Sequence, residues 1–211
     1  RNPVMILGDG IIGQMMEPFY PTAYVSSGLP EKDWVLDGCK DRDPRVIKSL
    51  YMGDGELEMR NDLLQEKYRT MKRKEVRFES YYAEDSEVVV VSFGIVARIA
   101  LSPVMQLRRK GFKVGLFRPV TLFPFPEEEL QMLSGENRKF IVIEMNAGQM
   151  VEDVKLSVNG RSEVLFYGRS GGSVITPEEV EQRIVQLLEP QPQLIRKNRG
   201  VAIRDRLSEF R

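Results

Sequence analysis

Histidine is absent from this 211-residue chain, and cysteine occurs once, as Cys39. The first absence removes histidine-based proton transfer, histidine metal ligation and any Ser-His-Asp triad built from this chain alone. A single thiol forms no internal disulfide, and it falls short of the several thiolates an iron–sulfur cluster takes. Excess charge is lacking as well. Lys+Arg and Asp+Glu number 31 each, so no net field recruits nucleic acid or an anionic membrane face. No apolar run approaches the ~18 residues of a membrane span. These absences describe a soluble, cytoplasmic α/β protein with little catalytic equipment of its own. Arg1 is not a start methionine, so the chain reads as a fragment or processed piece.

What is present divides into an irregular first part and a regular second part. Pro3–Leu7 (PVMIL) ends at Gly8 and reads as a buried strand. Glycines and prolines then punctuate the chain too often for a long helix. Val25 to Gly55 reads as an extended linker, with Trp34 as its apolar anchor. Glu56 to about Lys74 predicts a helix, with Leu63, Leu64 and Met71 keeping mostly to one side.

From Tyr81 the pattern becomes regular. Four short apolar runs predict strands: Val88–Phe93, Lys113–Phe117, Phe140–Glu144 and Val164–Tyr167. Helices are predicted over Ile95–Lys110, from Pro126, from Asn146 through about Val158, and from Thr176 to near Leu188. Asn146 with Gln149 resembles a capping box, and Thr176, Pro177 and Glu179 supply a cap, a first-turn proline and an acid at the third position. Ser102-Pro103 either kinks the first of these helices or caps a second one; the continuing apolar spacing favours the kink. Strand and helix thus alternate, predicting a three-layer α/β/α fold around a mainly parallel sheet. After Pro190 the tail is polar and basic.

Few features could carry chemistry. Gly8-Asp9-Gly10-Ile11-Ile12-Gly13 fits the dinucleotide fingerprint, but Pro18 and Pro21 cut short the helix that the mechanism needs. An accidental glycine-rich turn is the preferred reading. The Gly168–Gly172 loop (GRSGG) follows a strand and precedes a helix. Its amides and Arg169, with Gly171 and Gly172, could form an anion nest, against a plain turn that lets strand and helix pack closely. Glu144 ends a strand at the same edge. It is read as a general base, as a partner for a basic neighbour or, preferentially, as an electrostatic aid to the next helix. Arg118 ends another strand and is expected to pair with an acid, Glu144 being the candidate. Cys39 lacks any histidine to activate it. The charges between Lys67 and Glu79 read as a solvated helix face.

The run VVVVSFGIVARIALSPVMQLRRKGFKVGLFRPVTLFPFPEEEL resembles the C-terminal domain of thiamine-diphosphate enzymes such as transketolase. The segments RPVTLFPFP, VIEMNAGQMVEDVKLSVNG and FYGRSGG are similar to the alpha-type subunit of 2-oxoacid:ferredoxin oxidoreductases. RNPVMILGDGIIGQMMEP and KDWVLDGCKDR resemble the 2-oxoisovalerate branch of that family. The resemblance implies that residues 1–24 end a truncated thiamine pyrimidine-binding domain and that 25–80 are a linker with a helix. It implies a transketolase C-terminal-like domain over 81–190, followed by a basic tail over 191–211.

The resemblance also implies a multi-subunit enzyme. Its reaction is oxidative decarboxylation of a 2-oxoacid with coenzyme A, giving acyl-CoA, CO2 and reduced ferredoxin. Thiamine diphosphate, Mg2+ and [4Fe-4S] clusters belong to the complete complex, and no cofactor-binding, catalytic or metal residue maps onto this segment. The implied partners are a beta-type thiamine-diphosphate-binding subunit, a ferredoxin-like iron–sulfur subunit and ferredoxin. The assembly is a hetero-oligomer or a dimer of the fragment, with neither nucleic acid nor membrane as partner. The competing readings are an NAD(P)-binding Rossmann-like protein using Gly8–Gly13, and a non-enzymatic interaction module of the same fold.

Overall fold

A computed structural model describes residues 3–21 and 31–188. The described chain forms two units. One runs up to Phe78 and includes Val120–Pro126; the other holds Glu79–Pro119 and the residues from Glu127 onward. The expected basic tail lies outside the described residues.

The second unit is built on a five-stranded sheet. Its strands are β1 (Phe78–Tyr81), β2 (Val88–Val91), β3 (Val114–Pro119), β4 (Lys139–Glu144) and β5 (Glu163–Gly168), in spatial order β1-β3-β2-β4-β5. Pairing is parallel between β2 and β3, β2 and β4, and β4 and β5. Such strands are covered on both faces and therefore carry continuous apolar runs. Val88–Val91 are all buried, as are Phe140–Ile143. α2 (Gly94–Arg109) packs against α5 (Pro177–Leu188), and α3 (Glu127–Leu133) against α4 (Met150–Val158), which gives one helical layer per face. The three-layer α/β/α architecture follows.

Several details depart from the pattern. β1 extends the sheet beyond the four expected strands; FESY has no apolar run, because an edge strand is half wet. α2 runs unbroken through Pro103, which is buried within it. Burial of the apolar face over four turns outweighs the ~3 kcal/mol that an interior proline costs, so Ser102 starts no second helix. α4 begins at Met150 rather than at Asn146, and no capping box forms; Asn146 instead accepts a bond from the Gly148 amide at 2.7 Å. At the amino edge of the sheet Arg108 anchors the end of α2 through Asp85 (2.7 Å).

In the first unit no described residue up to Phe78 is buried; its buried residues are Pro124, Phe125 and Pro126. α1 (Glu56–Lys74) forms where the spacing predicts it, yet none of its residues is buried. Acids in its first turn and bases in its last match the helix dipole, and Glu66–Arg69 adds a pair at 2.9 Å. Pro3–Leu7 forms no strand: Val4 is 85% and Ile6 94% exposed. A strand needs a neighbour for its backbone bonds, and none lies beside this segment among the described residues. Trp34, the expected anchor, is exposed. Asp9 accepts bonds from the Ile11 and Ile12 amides at 2.9 and 2.8 Å, and a single 3-10 turn, Ile12–Gln14, follows. The glycine-rich segment thus has neither the strand nor the helix that dinucleotide binding requires.

Candidate functional site

In an open parallel sheet the ligand-binding edge is where the strands end and the order reverses. Here β2 leads through α2 to β3 on one side, whereas β4 lies on its other side. The edge is therefore formed by Ser92, Phe93 and Gly94 after β2, Arg118 at the end of β3, Glu144 and Asn146 at the end of β4, and Gly168–Gly172 after β5.

Glu144 is 1% exposed and serves the backbone. Its carboxylate accepts bonds from the amides of Gln149 (3.2 Å), Met150 (3.0 Å) and Val151 (3.0 Å), and from Asn146 Nδ2 (3.0 Å). It closes the N-terminus of α4 and holds no proton-transfer position, so the general-base reading is set aside. Negative charge is already dense there. Burial, together with Glu127, Glu144 and Glu152, lifts the Asp153 carboxyl above its ordinary value.

Arg118 pairs with Glu79 at 2.9 Å and not with Glu144. The pleat explains this. Glu144 and Val142 share the α4 face, and Val142 is level with Val91, which is level with Phe117. One residue further on, Arg118 and Ser92 turn to the opposite face, the side of α2 and α5. Glu79 on β1 also accepts the Tyr81 hydroxyl at 2.9 Å, and that bond, with the Arg118 charge, holds its carboxyl below the usual range. The same bond pushes the Tyr81 hydroxyl up.

Two polar atoms at this edge are buried and unpartnered among the described residues: Ser92 Oγ and Arg118 Nε. Ser92 is fully buried. It sits directly before α2, whose cap position is Phe93 and whose first turn contains no acid and receives no side-chain cap. Sequence reasoning missed Ser92 and Glu79. A serine closing the run VVVVS was the available signal; Glu79, in a strand without an apolar run, gave none.

The Gly168–Gly172 loop is used internally. Arg169 pairs with Glu179 and donates to the Val174 carbonyl at 3.0 Å, so its charge is committed to α5. Gly171 and Gly172 have φ of +84° and +87°, a left-handed turn that side chains resist. Glu179 also accepts the Thr176 amide at 2.8 Å, and Thr176 Oγ1 accepts the Glu179 amide at 3.3 Å: a reciprocal cap. The Thr176 amide and then Arg169 hold the Glu179 carboxyl below its ordinary value. A lowered folded-state value stabilises above the unfolded one and is lost as pH falls through the folded one. Stability should therefore decline with acidification below about pH 4.5, the ordinary glutamate value. Urea unfolding of Glu179→Gln should show a shallower decline over that window; an unchanged slope would exclude this pair as a contributor.

Residues 86–180 match the family description pyruvate:ferredoxin oxidoreductase core domain II. The ketoisovalerate oxidoreductase subunit VorB of Methanothermobacter marburgensis is 40% identical over 187 residues, 89% of this chain and 53% of the relative. The 2-oxoglutarate synthase subunit KorA of the same organism is 26% identical over 212 aligned positions, covering 88% of this chain and 56% of the relative. Among solved structures, a 2-oxoglutarate:ferredoxin oxidoreductase from Magnetococcus marinus superposes with a TM-score of 0.56 at 18% identity. It covers 78% of this chain and 28% of that chain, a likeness of fold. The chain spans about half the length of the curated relatives it matches.

Proposed function

The chain belongs to the family of 2-oxoacid:ferredoxin oxidoreductase subunits, and on that premise we propose that it is the assembly-forming part of an alpha-type subunit acting on 2-oxoisovalerate. The complete complex would decarboxylate the 2-oxoacid oxidatively with coenzyme A, yielding acyl-CoA, CO2 and reduced ferredoxin. The identity gap carries the substrate assignment. Two ketoisovalerate subunits reach 38–40% over most of the chain, against 26–30% for 2-oxoglutarate subunits at similar coverage.

The described residues do not fit the metal groups of such a reaction. Among the described residues no group of three or more acids or thiols could hold a metal ion. One cysteine cannot ligate a [4Fe-4S] cluster. In the proposed complex thiamine diphosphate, Mg2+ and the clusters would be held outside the described residues, with a beta-type thiamine-binding subunit and a ferredoxin-like subunit as partners. No helix among the described residues is long and apolar enough to cross a membrane.

Assembly is supported by the apolar side chains left open in the first unit. Met16 is 98%, Met52 82% and Met59 70% exposed, and α1 buries nothing. Exposed apolar surface of this density marks a contact surface. Met59 and Leu63 lie four residues apart on one side of α1, where they would meet a companion chain.

Co-expression with the beta-type and iron–sulfur chains of the same organism should give one complex by size exclusion. Acyl-CoA formation from 2-oxoisovalerate should exceed that from pyruvate or 2-oxoglutarate. Met59→Lys/Leu63→Lys should weaken assembly at least tenfold while leaving the unfolding of the second unit unchanged. Turnover by the isolated chain, or no affinity for a beta-type chain, overturns the proposal.

A further inference from the structure

We infer that the head of α2 is a binding site for a small-molecule carboxylate, built from the first-turn amides of Gly94–Val96, the Ser92 hydroxyl and Arg118 Nε. A helix N-terminus carries about half a positive charge on amides that have no partner within the helix. At this sheet edge the chain fills such positions itself. The α4 amides receive the Glu144 carboxylate, and α5 has the Thr176–Glu179 cap. α2, with 16 residues, receives no side-chain cap among the described residues: its cap position is Phe93 and its first turn has no acid.

The second observation is independent of the helix. Ser92 is fully buried, and its hydroxyl has no partner among the described residues. The pleat aims it at the face that α2 covers, where Arg118 is level with it on the adjoining strand and holds a buried, unpartnered Nε–H. Buried polar atoms are nearly always paired, so two donors left over among the described residues, at the ends of adjoining strands and one of them just before an uncapped helix, describe a missing acceptor. Gly94 is exposed, so the head of α2 reaches solvent at that residue, whereas Ile95 and Val96 are buried behind it.

Charge selects a monoanion. Glu79 already neutralises Arg118 through Nη1 (2.9 Å), so the surplus is little more than the helix's own half charge. A phosphate dianion would over-fill the site, whereas a carboxylate matches it. The two oxygens can be shared between the first-turn amides and the Ser92–Arg118 donors. This inference stands apart from the proposed reaction, since it concerns binding by this chain alone.

The test is an amide NMR titration of the intact chain at pH 7.5 and constant ionic strength, with acetate as probe and inorganic phosphate and chloride as comparators. Acetate should shift the Gly94, Ile95 and Val96 amides saturably, with Kd on the order of 1 mM. Phosphate should bind more weakly. Ser92→Ala should weaken acetate binding by about threefold to tenfold, and Arg118→Met by more than tenfold. Phe93→Asp, which supplies a carboxylate at the cap position, should abolish binding and raise Tm. Non-saturable shifts, equal affinity in Ser92→Ala, or undiminished binding in Phe93→Asp would each overturn the inference. The Ser92 and Phe93 variants decide it even if Arg118→Met does not fold.

Discussion

Glu144→Ala should be the most damaging single substitution at the sheet edge, lowering stability by about 3–5 kcal/mol. The side chain is 1% exposed, and its two oxygens satisfy the first two α4 amides, the Gln149 amide before them and the Asn146 amide group. Alanine leaves those donors unpaired where water does not replace the acceptor, at about 1–3 kcal/mol for each buried group. Loss of an ordinary exposed cap costs about 1 kcal/mol, so the excess measures the burial. Glu144→Gln keeps one acceptor oxygen but turns an amide NH2 toward amide donors, and should cost roughly half as much. Urea unfolding followed by far-UV circular dichroism is the appropriate readout. The single tryptophan, Trp34, lies in the first unit, whereas α4 belongs to the second. A loss below about 1 kcal/mol for Glu144→Ala would mean that α4 is capped by solvent instead.

Gly115→Ala should cost about 3 kcal/mol, at the upper end of overpacking effects. A Cβ on Gly115 would lie 2.7 Å from Ala83 Cα, 2.7 Å from Ser86 Oγ and 2.8 Å from the Tyr82 carbonyl. Two of those atoms are backbone, in the turn between β1 and β2 that Arg108 ties to α2. No rotamer change relieves the overlap. The turn or the strand must move, and β3 is paired with β2 on one side. Gly135→Ala is the matched control: a methyl there meets nothing within 4 Å, and the backbone is not left-handed. It should stay within about 0.5 kcal/mol of the parent. Equal midpoints for the two variants would show that the turn yields freely.

The α/β part was legible because its signals are local and redundant. Val88–Val91 could hardly be anything but a strand buried on both faces, and it is. Thr176, Pro177 and Glu179 announced the start of α5, and both Thr176–Glu179 bonds form. Glu144 was read first as an aid to the following helix, and its carboxylate meets the α4 amides. What was misjudged depended on distant partners. Arg118 lies level with Ser92 and faces Glu79, 39 residues away on an edge strand without an apolar signature. Asn146 looked like a cap, but a buried carboxylate in a better position took the amides. Pro3–Leu7 has the composition of a buried strand yet is exposed, since apolar character alone does not supply a neighbour.

By itself the sequence determined the alternation of strands and helices from residue 81, the place of α1, the exclusion of histidine chemistry and of an internal iron–sulfur cluster, and the family. All but the family follow from periodicity, caps and residue counts, which act within a few turns of chain or need no geometry at all; the family rests on the resemblance of whole segments such as VIEMNAGQMVEDVKLSVNG. Tertiary structure alone decided which face each strand-end side chain takes, and hence that Arg118 belongs to Glu79, Glu144 to α4 and Arg169 to α5. It also left Ser92 and the head of α2 without an acceptor among the described residues. Register between strands fixes those pairings, and it is set by packing across the whole sheet rather than by any one segment.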